Sequence, residues 1–158
     1  MQIVPLPPPT ELEKLLGALL GRPVKAAKAP AGERVAGPQA VALFVSGEPV
    51  LEMLVRSDLP LADSLAASLS VVPVTVVREA IASGRMEQGL QENLAEVLNV
   101  LARFLSGSGR PFRLGPIAFP PEPFAADKLT LAEASDEVRV FTVEIPGYAA
   151  GVLEFVTL

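Results

Sequence analysis

Histidine, cysteine and tryptophan are absent from this chain of 158 residues, and tyrosine occurs once. Without histidine, Ser-His-Asp catalysis, histidine-ligated metals and phosphotransfer through histidine are excluded. Without cysteine, disulfides, thiolate nucleophiles and Cys-based zinc sites are excluded, while the redox compartment stays open. The scarcity of aromatic rings also argues against a sugar-binding site built on ring stacking.

Basic charge is scarce as well. The 13 lysines and arginines face 18 aspartates and glutamates, so the net charge is −5 and the pI is about 4.8. Nucleic acids and anionic membrane surfaces attract basic proteins, and we expect neither as a partner. The opening MQIVPLPPPT lacks the charged and apolar regions of a signal peptide, which predicts a cytoplasmic protein.

Apolar residues, in contrast, make up 50% of the chain, and the mean hydropathy is +0.43. Such a composition predicts a sheet covered on both faces, or an apolar surface that meets a partner or a second copy in a homodimer. The most apolar window, residues 59–77, is interrupted by Asp63 and Pro73. It therefore predicts two buried helices joined at Pro73 rather than a membrane span.

Segments in which apolar residues have helical or strand-like spacing follow one another along the chain. Their order predicts helix–strand–strand–strand, a two-helix insert, and the same four elements again. Thr10 and Glu13 fit a capping box for the first helix, which is expected to end at Gly21. SGEP (46–49) is expected to join two strands, SGSG (106–109) to end the long helix, and residues from 120 onward to form a loop. Strands are predicted in RPVKAAKAP, QAVALFV, VLEMLVRS, RPFRLGPIAF, EVRVFTVEI and GVLEFVTL.

The two ends of the chain match each other. LEKLLGAL (12–19) aligns with LAEVLNVL (94–101), each helix is followed by GRP, and VLEMLV aligns with VLEFVT. Chance similarity of segments rich in leucine and valine is the alternative explanation. A duplication predicts one α+β domain over residues 1–158, with halves at about 10–57 and 87–158 and a helical insert at 58–86. The fold class is then a pseudo-symmetric, six-stranded mixed or antiparallel sheet with helices packed on it.

The long helix, predicted from about Glu87 to Leu105, carries a polar stripe. Glu92, Glu96, Asn99 and Arg103 are spaced to share one helix face. A solvated face is the ordinary interpretation of such a pattern. Asparagine within a helix has a cost, however, because its short side chain competes for backbone hydrogen bonds.

The alignment of the two halves restricts where this stripe can act. Lys14 and Gly17 of the first helix stand at the positions of Glu96 and Asn99. Of these two matching helices, only the long helix can therefore carry a site of this kind. Two carboxylates on one helix rarely bind a cation without further ligands, and no metal site is predicted.

The long helix resembles the phosphatase helix of the CheC/CheX/FliY chemotaxis phosphatases. The resemblance rests on Glu96 and Asn99 as E-x-x-N, on Glu92 four residues earlier, and on Pro121 or Pro123 about two dozen residues later. The duplicated layout and the ending EIPGYAAGVL are also similar to that superfamily. The chain is thus identified as a diverged CheC-like member.

This resemblance implies dephosphorylation of a CheY-type response regulator. Asn99 would orient water in line with the aspartyl phosphate, and Glu96 would pair with the active-site lysine of the regulator. Glu92 and Arg103, on the same face, would contact the partner. The protein would need no cofactor of its own, since the regulator supplies Mg²⁺ and lysine.

One departure from the family pattern leaves a second hypothesis open. Family members often have glycine before the asparagine, whereas this chain has Leu98. A non-catalytic member would act in dimerisation or docking within a signalling or flagellar-switch assembly. A third hypothesis, a small-molecule site between sheet and helices, requires space at that interface.

Overall fold

The computed structural model describes residues 6–47, 50–105 and 111–158. Five helices and six strands lie in these ranges. The helices are α1 (Pro9–Leu20), α2 (Leu59–Leu69), α3 (Val74–Ser83), α4 (Gln88–Leu105) and α5 (Ala126–Ala134). The strands are β1 (Lys25–Lys28), β2 (Gln39–Ser46), β3 (Leu51–Asp58), β4 (Phe112–Ala118), β5 (Val138–Glu144) and β6 (Gly151–Thr157).

The strands form one sheet in the order β1-β5-β6-β3-β2-β4, and every neighbouring pair is antiparallel. The predicted α+β class with a six-stranded sheet is confirmed. If β1, β2 and β3 are exchanged with β4, β5 and β6, respectively, the same strand order results, read from the opposite edge of the sheet. At the centre of the sheet, Leu54 of β3 is paired with Val156 of β6. These two residues are equivalent in the sequence match of VLEMLV with VLEFVT.

The main core lies between one face of the sheet and helices α1, α2 and α4. Its largest fully buried side chains fill this interface, among them Leu12, Leu16, Phe44, Met53, Leu61, Leu65, Leu94, Leu101 and Phe155. The hypothesis of a small-molecule site between sheet and helices depended on space here, and the described side chains occupy it. Close packing of this kind leaves few voids larger than water.

Two helices, α2 and α3, lie within residues 58–86 and are separated by a short turn that contains Pro73. Asp58 begins α2 by accepting a hydrogen bond from the Leu61 N–H at 3.1 Å, and its other oxygen accepts one from the Val152 N–H at 3.1 Å. One carboxylate therefore joins the insert to β6. None of the helices in the described ranges combines the length and apolarity that a membrane crossing requires.

Two local predictions were wrong. The loop expected after Pro120 contains α5, which covers the other face of the sheet through Ala132 and Leu129. Helix α1 begins at Pro9, and Thr10 does not cap it. Glu13 instead accepts a hydrogen bond from the Ala26 N–H of β1 at 3.0 Å, so its carboxylate protects the edge strand.

Two predicted connections cannot be compared in full. SGEP (46–49) is described only through Gly47, and SGSG (106–109) lies outside the described residues.

The second core, on the α5 side, is small and consists of Val41, Leu43, Leu54, Ala132 and Val156 with partly buried neighbours.

Candidate functional site

Helix α4 has one apolar face and one exposed face. Its buried residues follow the spacing of a helix that packs on a sheet: Leu90, Leu94, Val97, Leu98, Leu101, Ala102 and Leu105. Leu98 is only 5% exposed and belongs to the main core. Its side chain therefore points away from the exposed face and leaves the surface around Asn99 unobstructed by it.

The exposed face holds the four residues predicted from the sequence. Glu92, Glu96 and Arg103 are exposed, and Asn99 is half-buried. Arg103 Nη2 lies 3.9 Å from Glu96 Oε1, with 66% and 56% of the two side chains exposed. An exposed ion pair at this distance contributes little stability, so both side chains are available to a partner. We refer to these four residues as the α4 stripe.

Asn99 stands between the two members of this ion pair. Within the described residues its amide has no hydrogen-bond partner. A primary amide can donate two hydrogen bonds and accept two. Asn99 can therefore both hold a water molecule and contact an acceptor on another protein.

The corresponding face of α1 is different. Lys14 is exposed and Gly17 is half-buried at the two positions aligned with Glu96 and Asn99. The Lys14 charge has the opposite sign to that of Glu96, and Gly17 has no side chain to form a hydrogen bond. The arrangement of carboxylate and amide is thus found on α4 and not on its counterpart.

The prolines of the sequence motif lie at the other end of α4 from Asn99. The Pro120 carbonyl accepts a hydrogen bond from the Met86 N–H at 3.3 Å, just before α4 begins. At 1.5 Å per residue, the start of α4 at Gln88 is roughly 16 Å from Asn99 along the axis. Pro121 and Pro123 are exposed near this start and are not brought together with Asn99.

A structural asparagine, Asn93, was missed by sequence analysis. Its Nδ2 donates to the Ala66 carbonyl at 2.9 Å and to Ser70 Oγ at 2.6 Å. These bonds hold the carboxyl end of α2 beside the α4 stripe. The only sequence signal was a second asparagine within the same helix, at a position next to the apolar face.

A buried carboxyl group lies on α2, the helix that packs most extensively on α4. Asp63 is fully buried, and neither of its oxygens has a hydrogen-bond partner in the described part of the chain. Burial, with a smaller effect from the charge of Glu87, raises the pKa of Asp63 to about 7. Asp63 was predicted only as an interruption of an apolar window.

No group of three potential metal ligands occurs in the described ranges.

Comparisons with known proteins assign the fold. No family model and no curated protein sequence matches this chain. Solved structures of the CheC and FliM middle-domain fold do match over almost its whole length. The resemblance predicted from the sequence is therefore confirmed at the level of the fold.

Three structures represent these matches. FliM from H. pylori, solved in complex with SpeE, has a TM-score of 0.65 at 8% identity, covering 94% of this chain and 80% of its own. FliY from Thermotoga maritima has a TM-score of 0.52 at 18% identity, covering 91% and 80%. CheX from Borrelia burgdorferi, solved with CheY, BeF₃ and Mg²⁺, has a TM-score of 0.50 at 14% identity, covering 91% and 90%.

Proposed function

We propose that the α4 stripe docks on a phosphorylated CheY-type response regulator and accelerates loss of its aspartyl phosphate. The observation that carries this proposal is the placement of Asn99 one turn beyond Glu96, on an exposed face, with its amide free among the described residues. The structural similarity to CheX, which was solved with CheY, supports the choice of partner. The proposal implies a cytoplasmic protein, because such regulators are phosphorylated there.

The chemistry suits these residue types. Hydrolysis of a phosphoryl group needs a water molecule in line with the leaving oxygen and neutralisation of negative charge. The amide of Asn99 would position the water. Glu96 would pair with the active-site lysine of the regulator, and the regulator itself would supply Mg²⁺. This chain then contributes orientation rather than a nucleophile, a metal or a cofactor.

Glu92 and Arg103 would bind the partner at the two ends of the stripe. Their Cα atoms are separated by roughly 16 Å along α4. A partner that contacts both residues must therefore cover most of the exposed helix face. Leu98 does not interfere with such docking, since it is packed in the core.

An alternative function is docking without catalysis, in a signalling or flagellar-switch assembly or as a homodimer. It is supported by the higher structural similarity to FliM middle domains than to CheX or FliY. Leu131 on α5, which is 51% exposed, offers an apolar contact for such an assembly. In this alternative, the α4 stripe would be a solvated face.

The deciding experiment measures phosphate loss from CheY-type regulators of the same organism, charged with acetyl phosphate and Mg²⁺. Wild type is expected to accelerate the loss. Asn99→Ala should reduce the maximal rate by roughly 10²-fold, because an oriented hydrogen-bonding group is removed. Glu96→Ala should mainly raise the regulator concentration needed for half-maximal rate, because it removes binding energy.

Lys14→Ala is the matched control, since Lys14 occupies the position on α1 that aligns with Glu96. It should leave the rate unchanged. Circular dichroism and thermal melting should show that all three variants keep the fold, because the changed side chains are not in the core. If wild type leaves every regulator phosphorylated, the catalytic proposal is wrong and the docking alternative is favoured.

A further inference from the structure

The turn between α2 and α3 carries an exposed apolar residue in an unfavourable backbone conformation. Val71 has φ of +56°, and 73% of its surface is exposed. A β-branched side chain rarely adopts the left-handed region, where glycine or asparagine is the usual residue. Burial cannot explain valine here, because the side chain points into solvent.

The strained turn is held by hydrogen bonds on both sides of Val71. The Val72 N–H donates to the Ala67 carbonyl at 2.9 Å, and the Tyr148 hydroxyl donates to the Val72 carbonyl at 2.7 Å. On the other side, Asn93 of α4 bonds Ser70. The structure therefore presents Val71 in a defined position rather than at the tip of a loose loop.

The Val71 turn adjoins the amino-terminal end of the α4 stripe. Ser70 and Val72, the two neighbours of Val71 in sequence, line a shallow groove together with Glu87 and Glu92. Both glutamates are exposed, and Glu96 follows one turn beyond Glu92. An apolar residue thus stands beside a row of three carboxylates.

We infer that Val71 is an apolar anchor of the surface that binds the regulator, an inference that rests on the proposed function. Its side chain would enter an apolar pocket on the partner, and basic side chains around that pocket would face Glu87, Glu92 and Glu96. An apolar side chain that is buried in a pocket of the partner supplies affinity, while charge complementarity supplies orientation and association rate. The conformational strain is maintained because it places the anchor before binding.

The test measures binding of wild type and variants to a CheY-type receiver protein charged with BeF₃ and Mg²⁺, by isothermal titration calorimetry. Val71→Gly removes the anchor and relieves the unfavourable φ. It should raise Kd by roughly tenfold, while Tm stays equal or rises. Val71→Asn, which tolerates the same φ but is polar, should show a similar loss of affinity.

Val50→Asn is the matched control, because Val50 is 70% exposed and immediately precedes β3, away from the α2–α3 turn. It should leave Kd unchanged. Equal affinity of Val71→Gly, Val71→Asn and wild type would overturn the inference. A change in oligomeric state on light scattering, with unchanged affinity for the receiver, would assign Val71 to a contact between copies and would also overturn it.

Asn99→Ala separates this inference from the proposed function. It should lose phosphatase activity and retain most of its binding, whereas Val71→Gly should lose binding and regain activity at high receiver concentration. If wild type binds a receiver but does not dephosphorylate it, the catalytic proposal fails and the Val71 comparison can still be made. If wild type binds no receiver, both proposals are overturned.

Discussion

At the scale of single residues, Asp63 is notable because this ionisable residue is fully buried. Its carboxyl group is buried on α2 without a partner in the described ranges, which raises its pKa from 3.8 to about 7. The unfolded chain releases this proton near pH 3.8, whereas the folded chain keeps it until about pH 7. Folding stability should therefore fall as pH rises between these values, by up to about 1.4 kcal/mol per pH unit.

The prediction is that Asp63→Asn removes this fall and makes the protein more stable than wild type at pH 8. The free energy of unfolding in urea, measured from pH 5 to pH 8, provides the check. Asp136→Asn is a suitable control, because Asp136 is exposed. If wild type and Asp63→Asn show parallel pH dependence over this range, Asp63 ionises normally in the folded chain.

At the scale of secondary-structure elements, α4 has a face buried in the core and an exposed face, and substitutions on the two faces should have different effects. Leu98 belongs to the core, although its neighbour Asn99 belongs to the α4 stripe. Replacing Leu98 with glycine, the residue often found there in the phosphatases this helix resembles, should not improve phosphatase activity. It should lower the free energy of unfolding by about 3–5 kcal/mol, because a cavity and a flexible helical residue are introduced together.

Urea unfolding and the phosphate-release assay measure the two effects separately. Leu98→Met, which nearly conserves volume, is the control and should cost less than about 1.5 kcal/mol. A rise in phosphatase rate in Leu98→Gly, once the folded fraction is taken into account, would mean that Leu98 obstructs the partner.

At the scale of the whole molecule, an ion network centred on the buried pair Arg56 and Glu154 connects the two sets of strands. Glu154 of β6 is fully buried, accepts hydrogen bonds from Arg56 of β3 and from Arg34 Nε (2.6 Å), and is paired with Arg56 across the sheet. Glu133 of α5 accepts a hydrogen bond from Arg56 at 3.1 Å. Burial alone raises the pKa of Glu154, but the hydrogen bonds from Arg34 and Arg56 outweigh it and lower the pKa below its ordinary value.

Arg56→Met should lower the free energy of unfolding by about 3–5 kcal/mol, because one of the two arginine partners of the buried Glu154 charge is lost. Arg56→Met combined with Glu154→Leu should recover part of this loss, since the buried Glu154 charge is removed and Arg34, whose side chain is 33% exposed, can be solvated, although the Val35 N–H loses its acceptor. Urea unfolding at pH 7 of both variants measures the difference. A double variant as unstable as Arg56→Met would show that packing rather than charge explains the loss.

The same network predicts acid sensitivity of the opposite sign to that of Asp63. Because the folded pKa of Glu154 is below 4.5, its ionised form stabilises the fold above that pH. This contribution is lost as pH falls through the folded pKa. Unfolding measured below pH 4.5 should therefore be less pH-dependent in the double variant than in wild type.

Much of the architecture followed from local signals. Hydrophobic periodicity and turn residues, such as the long apolar stripe of α4 and the proline between α2 and α3, were sufficient to predict helices α1 to α4 and the six strands. Helix α5 was missed because its apolar residues do not form a clear stripe. Its helical state depends on contacts of Leu129 and Ala132 with a sheet face that is assembled from distant strands.

Some features of the candidate site were likewise predictable from the sequence, and others were not. Helical spacing alone determined that Glu92, Glu96, Asn99 and Arg103 share a face, because the period of a helix is constant along the chain. Only the tertiary structure decided that this face is exposed, that Leu98 points inward, and that Asn93 and Val71 flank the stripe. These features depend on which surface of α4 is covered by α2 and the sheet, and contacts between residues far apart in sequence leave no periodic signal.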